Sequence, residues 1–179
     1  MVDRIKNVIR EVKDFPKPGI GFKDITPILL DAPIFKHTVT MMSVWAAENN
    51  ADLVVGIESR GFIFGAPMAI EIGAGFVPVR KRGKLPRNTV EVEAPNEYAV
   101  EYFEIHSEDI KPGQKVVIVD DLLATGGSLS SAIELVKKLG AHVVGAIVVV
   151  ELCFLAGLEK IKEKYPDVEI FTLVKYDEE

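Results

Sequence analysis

The chain has 179 residues, of which 48% are hydrophobic and 27% charged, and a formal net charge of −6. That size and composition suit one substantial core, and the acidic balance argues against a protein built for nucleic acid or a membrane surface. Cys153 is alone, which excludes an intrachain disulfide, and the longest apolar run, residues 143–150, is far too short for a bilayer; a cytoplasmic protein is expected.

Residues 2–13 place Val2, Ile5, Val8, Ile9 and Val12 on one face and predict an amphipathic helix. Residues 14–27 then mix Phe15, Pro16, Pro18, Gly19, Gly21 and Phe22, a composition at odds with regular structure. Such a loop is either a lid or a hydrophobic strap that ties the first helix to the body. Residues 34–49 return to helical spacing, with Phe35, Val39, Met42, Trp45 and Ala46 inward.

Residues 52–57 read as a buried strand, followed by Glu58-Ser59-Arg60-Gly61 and a helix over 62–72. A strand, a tight turn and a helix N-terminus make an anion site, here with Arg60 at its mouth. The plainer alternative pairs Arg60 with Glu58 or Asp52. A third strand over 75–79 runs into Arg80, Lys81, Arg82 and Lys84, either a solvated basic turn or a set of phosphate ligands. Residues 88–97 are polar and rich in Glu, and 98–105 predict a hairpin arm, a place for a loop that covers a site during reaction.

The organising stretch is 116–128. Val116, Val117, Ile118 and Val119 suit a strand buried on both faces, and Asp120 and Asp121 stand where it should end. Ala124, Thr125, Gly126, Gly127 and Ser128 form a small, hydroxyl-bearing turn ahead of a helix carrying Leu129, Ala132, Ile133, Val136 and Leu139. Free N–H groups and the helix dipole favour an anion there, while carboxylates accept from sugar hydroxyls. The combination points to a ribose phosphate. Neither Gly-x-x-x-x-Gly-Lys-[Ser/Thr] nor Gly-x-Gly-x-x-Gly occurs. A further strand over 141–150, a short helix over 158–164 and a last strand over 170–174 complete the chain. His37, His106 and His142 lack ligand-like spacing, so no zinc site is implied and any direct metal ligand is left unknown. Alternating strands and helices predict an α/β fold, a mostly parallel central sheet with helices on both faces, in a single domain over 1–179 whose first 33 residues supply a helix and hood.

Val-Asp-Asp-Leu-Leu-Ala-Thr-Gly-Gly over 119–127 resembles the phosphoribosyl-pyrophosphate (PRPP) loop of the type I phosphoribosyltransferases, in the form found in the adenine phosphoribosyltransferase family. Ser128 stands where that family often has Thr, which keeps the hydroxyl. Phe15-Pro-Lys-Pro-Gly-Ile-Gly-Phe-Lys-Asp-Ile25, Ser59-Arg60-Gly61 and Arg80-Lys-Arg-Gly-Lys-Leu-Pro86 resemble further segments of the family, so the likeness runs from Phe15 to about Leu155. It implies the type I fold with an N-terminal hood, and an Mg²⁺-dependent transfer from PRPP to adenine giving AMP and pyrophosphate in purine salvage. By the same resemblance, Phe22 stacks on adenine, backbone groups of Gly21 and Lys23 read the ring edge, and Leu155 covers its far face. Arg60, Arg80, Lys81 and Lys84 take the pyrophosphate, Asp120 and Asp121 the ribose, and Ala124 to Ser128 the 5-phosphate. A cis peptide is expected at Glu58–Ser59. The family's loop acid falls on Glu97, beside Tyr98, rather than on Glu101 beside Tyr102. Mg²⁺ is expected to bind mainly through PRPP, and a homodimer, possessing no nucleic-acid or membrane partner, is implied. A phosphoribosyltransferase for another base, or a regulator that binds PRPP without catalysis, are the alternatives.

Overall fold

A computed structural model describes residues 2–94 and 101–178. Among the described residues there are nine strands and six helices. At the front stand α1 (Val2–Val8), β1 (Arg10–Val12), β2 (Phe22–Asp24), α2 (Thr26–Leu30) and α3 (Ala32–Glu48). They are followed by β3 (Leu53–Ile57), α4 (Gly61–Ile72), β4 (Gly75–Lys81), β5 (Thr89–Ala94) and β6 (Glu101–His106). The second half contains β7 (Lys115–Leu123), α5 (Gly127–Lys138), β8 (His142–Leu152), α6 (Gly157–Lys164) and β9 (Glu169–Tyr176), with a 3-10 turn over Cys153–Leu155.

Seven strands form the main sheet in the order β5-β6-β4-β3-β7-β8-β9. The run from β4 to β9 is parallel, whereas β6 lies antiparallel to β4 and β5 antiparallel to β6. Strand residues alternate between two cores, as the pleat requires. Val116 and Ile118 face one, with Leu129, Ala132, Ile133 and Val136 of α5. Val117 and Val119 face the other, with Val39, Met42, Phe64 and Met68 of α3 and α4. Helices therefore cover both faces, and the mostly parallel α/β sheet expected from the sequence is present.

The sequence order changes direction between β3 and β7. From β3 the chain passes through α4 to β4 on one side, then returns through the β5–β6 pair to lay β7 on the other side. In open α/β sheets the crevice at the carboxyl ends of such strands is where ligands bind.

Three local expectations are corrected. The first helix stops at Val8, and residues 10–12 leave it to pair with 22–24: Glu11 faces Lys23 and Val12 faces Phe22. The hood thus contains regular structure, a two-stranded sheet and the short α2, where its prolines and glycines suggested none. Thr89–Ala94 is a strand rather than a polar loop, and β6 is no free arm, since it joins the sheet through Arg80↔Glu104 and Lys81↔Phe103. Finally, β7 continues through the two acids to Leu123 instead of ending before them, held by its pairing with β8.

Candidate active site

A cavity of about 510 Å³ opens at the carboxyl ends of β3 and β7. Its walls include Glu58, Ser59, Arg60, Lys81 and Lys84 together with Asp120, Asp121 and the Ala124–Ser128 turn. This volume lies in the ordinary range for small-molecule sites.

Two helices point their N-termini into this region. α5 starts at Gly127 and α4 at Gly61, and no side chain caps either one. The free N–H groups of a first turn need a partner, and an anion can supply it. Gly61 is required by crowding: a Cβ there would come within 2.6 Å of the Val119 carbonyl oxygen. That close approach of α4 to β7 brings Arg60 to the acids. Its Nε donates to Asp121 Oδ2 at 2.5 Å. The partner is neither Glu58 nor Asp52, the pairings the sequence had offered as an alternative. The expected cis peptide at Glu58–Ser59 is present.

The two acids differ. Asp121 has Arg60 as counter-ion, while Asp120 is buried and accepts the Asp121 backbone N–H at 2.9 Å. Burial first, and then the charge of Asp121, push the Asp120 carboxyl well above the ordinary aspartate range. The pair consequently repels an incoming phosphorylated ligand less than two free carboxylates would.

Across the cavity, Glu58 collects the basic turn. It accepts from Lys84 Nζ at 2.9 Å, from the Lys81 backbone N–H at 3.0 Å, and from Arg80 Nε and Nη2 at 3.3 Å each. Burial would raise its carboxyl, but the bonds from Lys84, Lys81 and Arg80 outweigh it and hold the pKa at about 2. A buried acid, Glu104 of β6, accepts the backbone N–H groups of Lys84 at 2.9 Å and Leu85 at 2.8 Å. Burial works to raise Glu104 as well, yet the donors from Leu85, Lys84 and Gly83 keep it below the ordinary range. Lys84 is thus fixed at both ends, by Glu104 at the backbone and Glu58 at the side chain. Lys81 pairs with Glu101 at 2.5 Å. Arg80 is tied to Glu58 and donates to the Lys84 carbonyl, and does not itself line the cavity.

The hood reaches the site through Phe22. Its ring lies 5.8 Å from the Arg60 guanidinium carbon, and Phe15 meets it edge-on at 5.2 Å. Gly21 and Lys23 flank it in the same hairpin, Gly21 beside Glu11. Leu155 packs against the α3–α4 core from the 3-10 turn and is not part of the cavity wall. Glu97 and Tyr98 lie outside the described residues. Sequence reasoning missed Glu58 and Glu104 as organisers; the only signal was an acid at the end of one strand and another within a Glu-Ile-His run, neither distinctive.

Residues 27–178 match the Phosphoribosyl transferase domain family. An adenine phosphoribosyltransferase of Clostridium acetobutylicum is 49% identical over 173 residues, 97% of this chain and 98% of that protein. The crystal structure of an adenine phosphoribosyltransferase from Thermoanaerobacter pseudethanolicus superposes with a TM-score of 0.92 at 46% identity, covering 98% of this chain and 100% of the other. That of the Saccharomyces cerevisiae enzyme, complexed with an imino-altritol bisphosphate and adenine, gives 0.90 at 38% identity, covering 96% and 97%. The chain belongs to the phosphoribosyltransferase family and is an enzyme of phosphoribosyl transfer with the type I fold. Within that family its kinship is with the adenine phosphoribosyltransferases.

Proposed function

We propose that the site joins adenine to PRPP, giving AMP and pyrophosphate in purine salvage. The observation that carries this reading is the gathering, around one cavity, of the uncapped α5 turn, the acids Asp120 and Asp121, and the cations Arg60, Lys81 and Lys84. A sugar with a phosphate at one end and a pyrophosphate at the other needs both the turn and the cations. The choice of base rests on the hood and on the relatives.

In this reading Ala124 to Ser128 hold the 5-phosphate through backbone N–H groups and the Thr125 and Ser128 hydroxyls. Asp120 and Asp121 accept from the ribose hydroxyls. Arg60, Lys81 and Lys84, with Arg80 behind them, hold the pyrophosphate. The bond from ribose C1 to the pyrophosphate oxygen breaks, and its electron pair leaves with pyrophosphate as the cations offset the growing charge. A purine nitrogen bonds to C1 and gives its proton to Glu97, while Phe22 stacks on the base, Gly21 and Lys23 read its edge and Leu155 covers the far side. Holding the sugar at both ends contributes most of the rate.

The donor set fits Mg²⁺ only in part. Carboxylate oxygens of Asp120, Asp121 and Glu58 line the cavity, but among the described residues no cluster of three or more metal-binding side chains is assembled. Most of the ion's oxygens would come from PRPP, and when bound it offsets leaving-group charge.

The chain acts as one domain and as a homodimer in the cytoplasm. Leu30, Val44, Ile63 and Ile70 are exposed on the adjoining helices α2, α3 and α4, an apolar face that a second copy would cover. Among the described residues, no helix is long and apolar enough to cross a membrane.

The test is an assay with PRPP, Mg²⁺ and each of adenine, hypoxanthine, guanine and orotate. AMP formed with adenine as the preferred base is expected. Preference for another base would keep the PRPP site and overturn the hood assignment; PRPP binding without product would indicate a regulator. Glu97→Gln is expected to lower kcat more than Glu101→Gln, and the reverse order would move the loop acid to Glu101.

A further inference from the structure

The hood and the C-terminal strand meet at one aromatic ring outside the cavity. Tyr176 ends β9, and the ammonium groups of Lys6 from α1 and Lys23 from β2 each lie 4.8 Å from its ring centroid. Lys23 is no ordinary surface lysine. Its side chain is 4% exposed, and Nζ lies 2.6 Å from Oε2 of Glu11, its cross-strand partner. Lys6 is fixed as well, donating from Nζ to the Lys175 carbonyl at 2.9 Å. A buried ammonium is costly without partners, and here one carboxylate and one aromatic face supply them.

The hairpin stands apart from the main sheet. It forms its own two-stranded sheet, unconnected to the main one, and every residue of β1 is exposed. Neighbouring side chains of a strand point to opposite faces. Anchoring Lys23 on Tyr176 therefore aims Phe22 the other way, toward Arg60, 5.8 Å from its ring.

The geometry points to Tyr176 as a positioning residue for the base: its ring holds the Lys23 side chain and so sets where Phe22 stands beside Arg60. The inference rests on the reading of Phe22 as the base-stacking residue. It also gives the Lys23 side chain a role separate from any backbone contact to adenine.

The experiment measures KM for adenine and for PRPP in Tyr176→Leu, Tyr176→Phe, Lys23→Met and Phe22→Ala, with thermal midpoints recorded alongside. Tyr176→Leu and Lys23→Met are each expected to raise the adenine KM roughly fivefold, the worth of a partly buried cation–π contact, with the PRPP KM within about twofold. Tyr176→Phe, which keeps the ring, is expected to restore wild-type behaviour. An equal rise in both KM values, or unchanged adenine KM in both Tyr176→Leu and Lys23→Met, would overturn the inference. Phe22→Ala separates the two layers. If it leaves the adenine KM unchanged, the base-stacking reading fails; if it raises that KM while Tyr176→Leu does not, only the anchor fails.

Discussion

Arg60 Nε donates to Asp121 Oδ2 at 2.5 Å, joining the turn after β3 to the end of β7. Asp121 is buried and Arg60 is not: their side chains are 7% and 42% exposed. The guanidinium also lies 5.8 Å from the Phe22 ring, so one residue links the acid pair to the hood. A ligand that engages Asp121 and Arg60 together must reorganise this pair.

The consequence is measurable in a double-mutant cycle of Arg60→Ala and Asp121→Asn. Partial exposure of the arginine screens the pair, so its contribution to stability is expected to be about 1 kcal/mol. Binding is affected more. Arg60→Ala should raise the PRPP KM by roughly tenfold or more, because a charged hydrogen bond to phosphate is lost. An unchanged PRPP KM would assign Arg60 a structural role alone.

Asp120→Asn is expected to separate stability from function. The Asp120 carboxyl is held well above its ordinary value of 3.8 by burial and by Asp121. The unfolded chain releases the proton first, so wild-type stability falls as pH rises from 3.8 through the raised folded value. Asparagine keeps the acceptor for the Asp121 N–H and removes that penalty. The variant should be more stable near neutral pH, by about 1 kcal/mol, while its PRPP KM rises roughly tenfold or more. Thermal midpoints across pH, paired with kinetics, check both halves.

Glu58 has the opposite sign. Its pKa lies at about 2 against an ordinary 4.5. The stability it contributes is complete above 4.5 and is lost as pH falls toward 2. Glu58→Gln should therefore be destabilised near neutral pH and nearly equal to wild type at the acid end of that window. Lys84 and Arg80 lose their common anchor, and the PRPP KM should rise about tenfold with a smaller change for adenine. Denaturant midpoints at several pH values, with the two KM values, decide it; a tighter PRPP KM would mean that Glu58 competes with the substrate.

These acids also mark where the sequence stopped being informative. The helices and strands of the sheet were legible because burial imposes local periods: Val116 to Val119 alternate between two cores, and the spacing on α5 matches its buried face. The two strand–turn–helix junctions were legible because glycines and hydroxyls ahead of a helical stripe mark where a strand gives way to a helix. Glu58 and Glu104 were not, since their partners lie 19 to 26 residues away and no local pattern encodes the meeting. The N-terminal helix was overextended for the same reason. Val12 fits a helical stripe, but its pairing with Phe22 across the hood wins. Lys23 looked like a residue used through its backbone, and only the fold places its side chain against Tyr176.

Gly157, the first residue of α6, packs directly against the Ala124–Ser128 turn. A Cβ there would lie 2.1 Å from the Ala124 carbonyl oxygen and 3.0 Å from both the Ala124 carbonyl carbon and the Gly126 nitrogen. All three atoms are backbone, so no side chain can swing aside. Gly157→Ala is expected to push the 124–126 segment away, and a shift of about 1 Å in a group that positions substrate costs up to about a hundredfold. The expected result is a PRPP KM raised roughly tenfold with kcat reduced, and an adenine KM nearly unchanged, because the hood makes no part of this contact. Stability should fall by about 1–3 kcal/mol from overpacking. If stability falls without any change in the PRPP KM, the displacement is absorbed by α6, and Ala124 to Ser128 are not held in register by this packing.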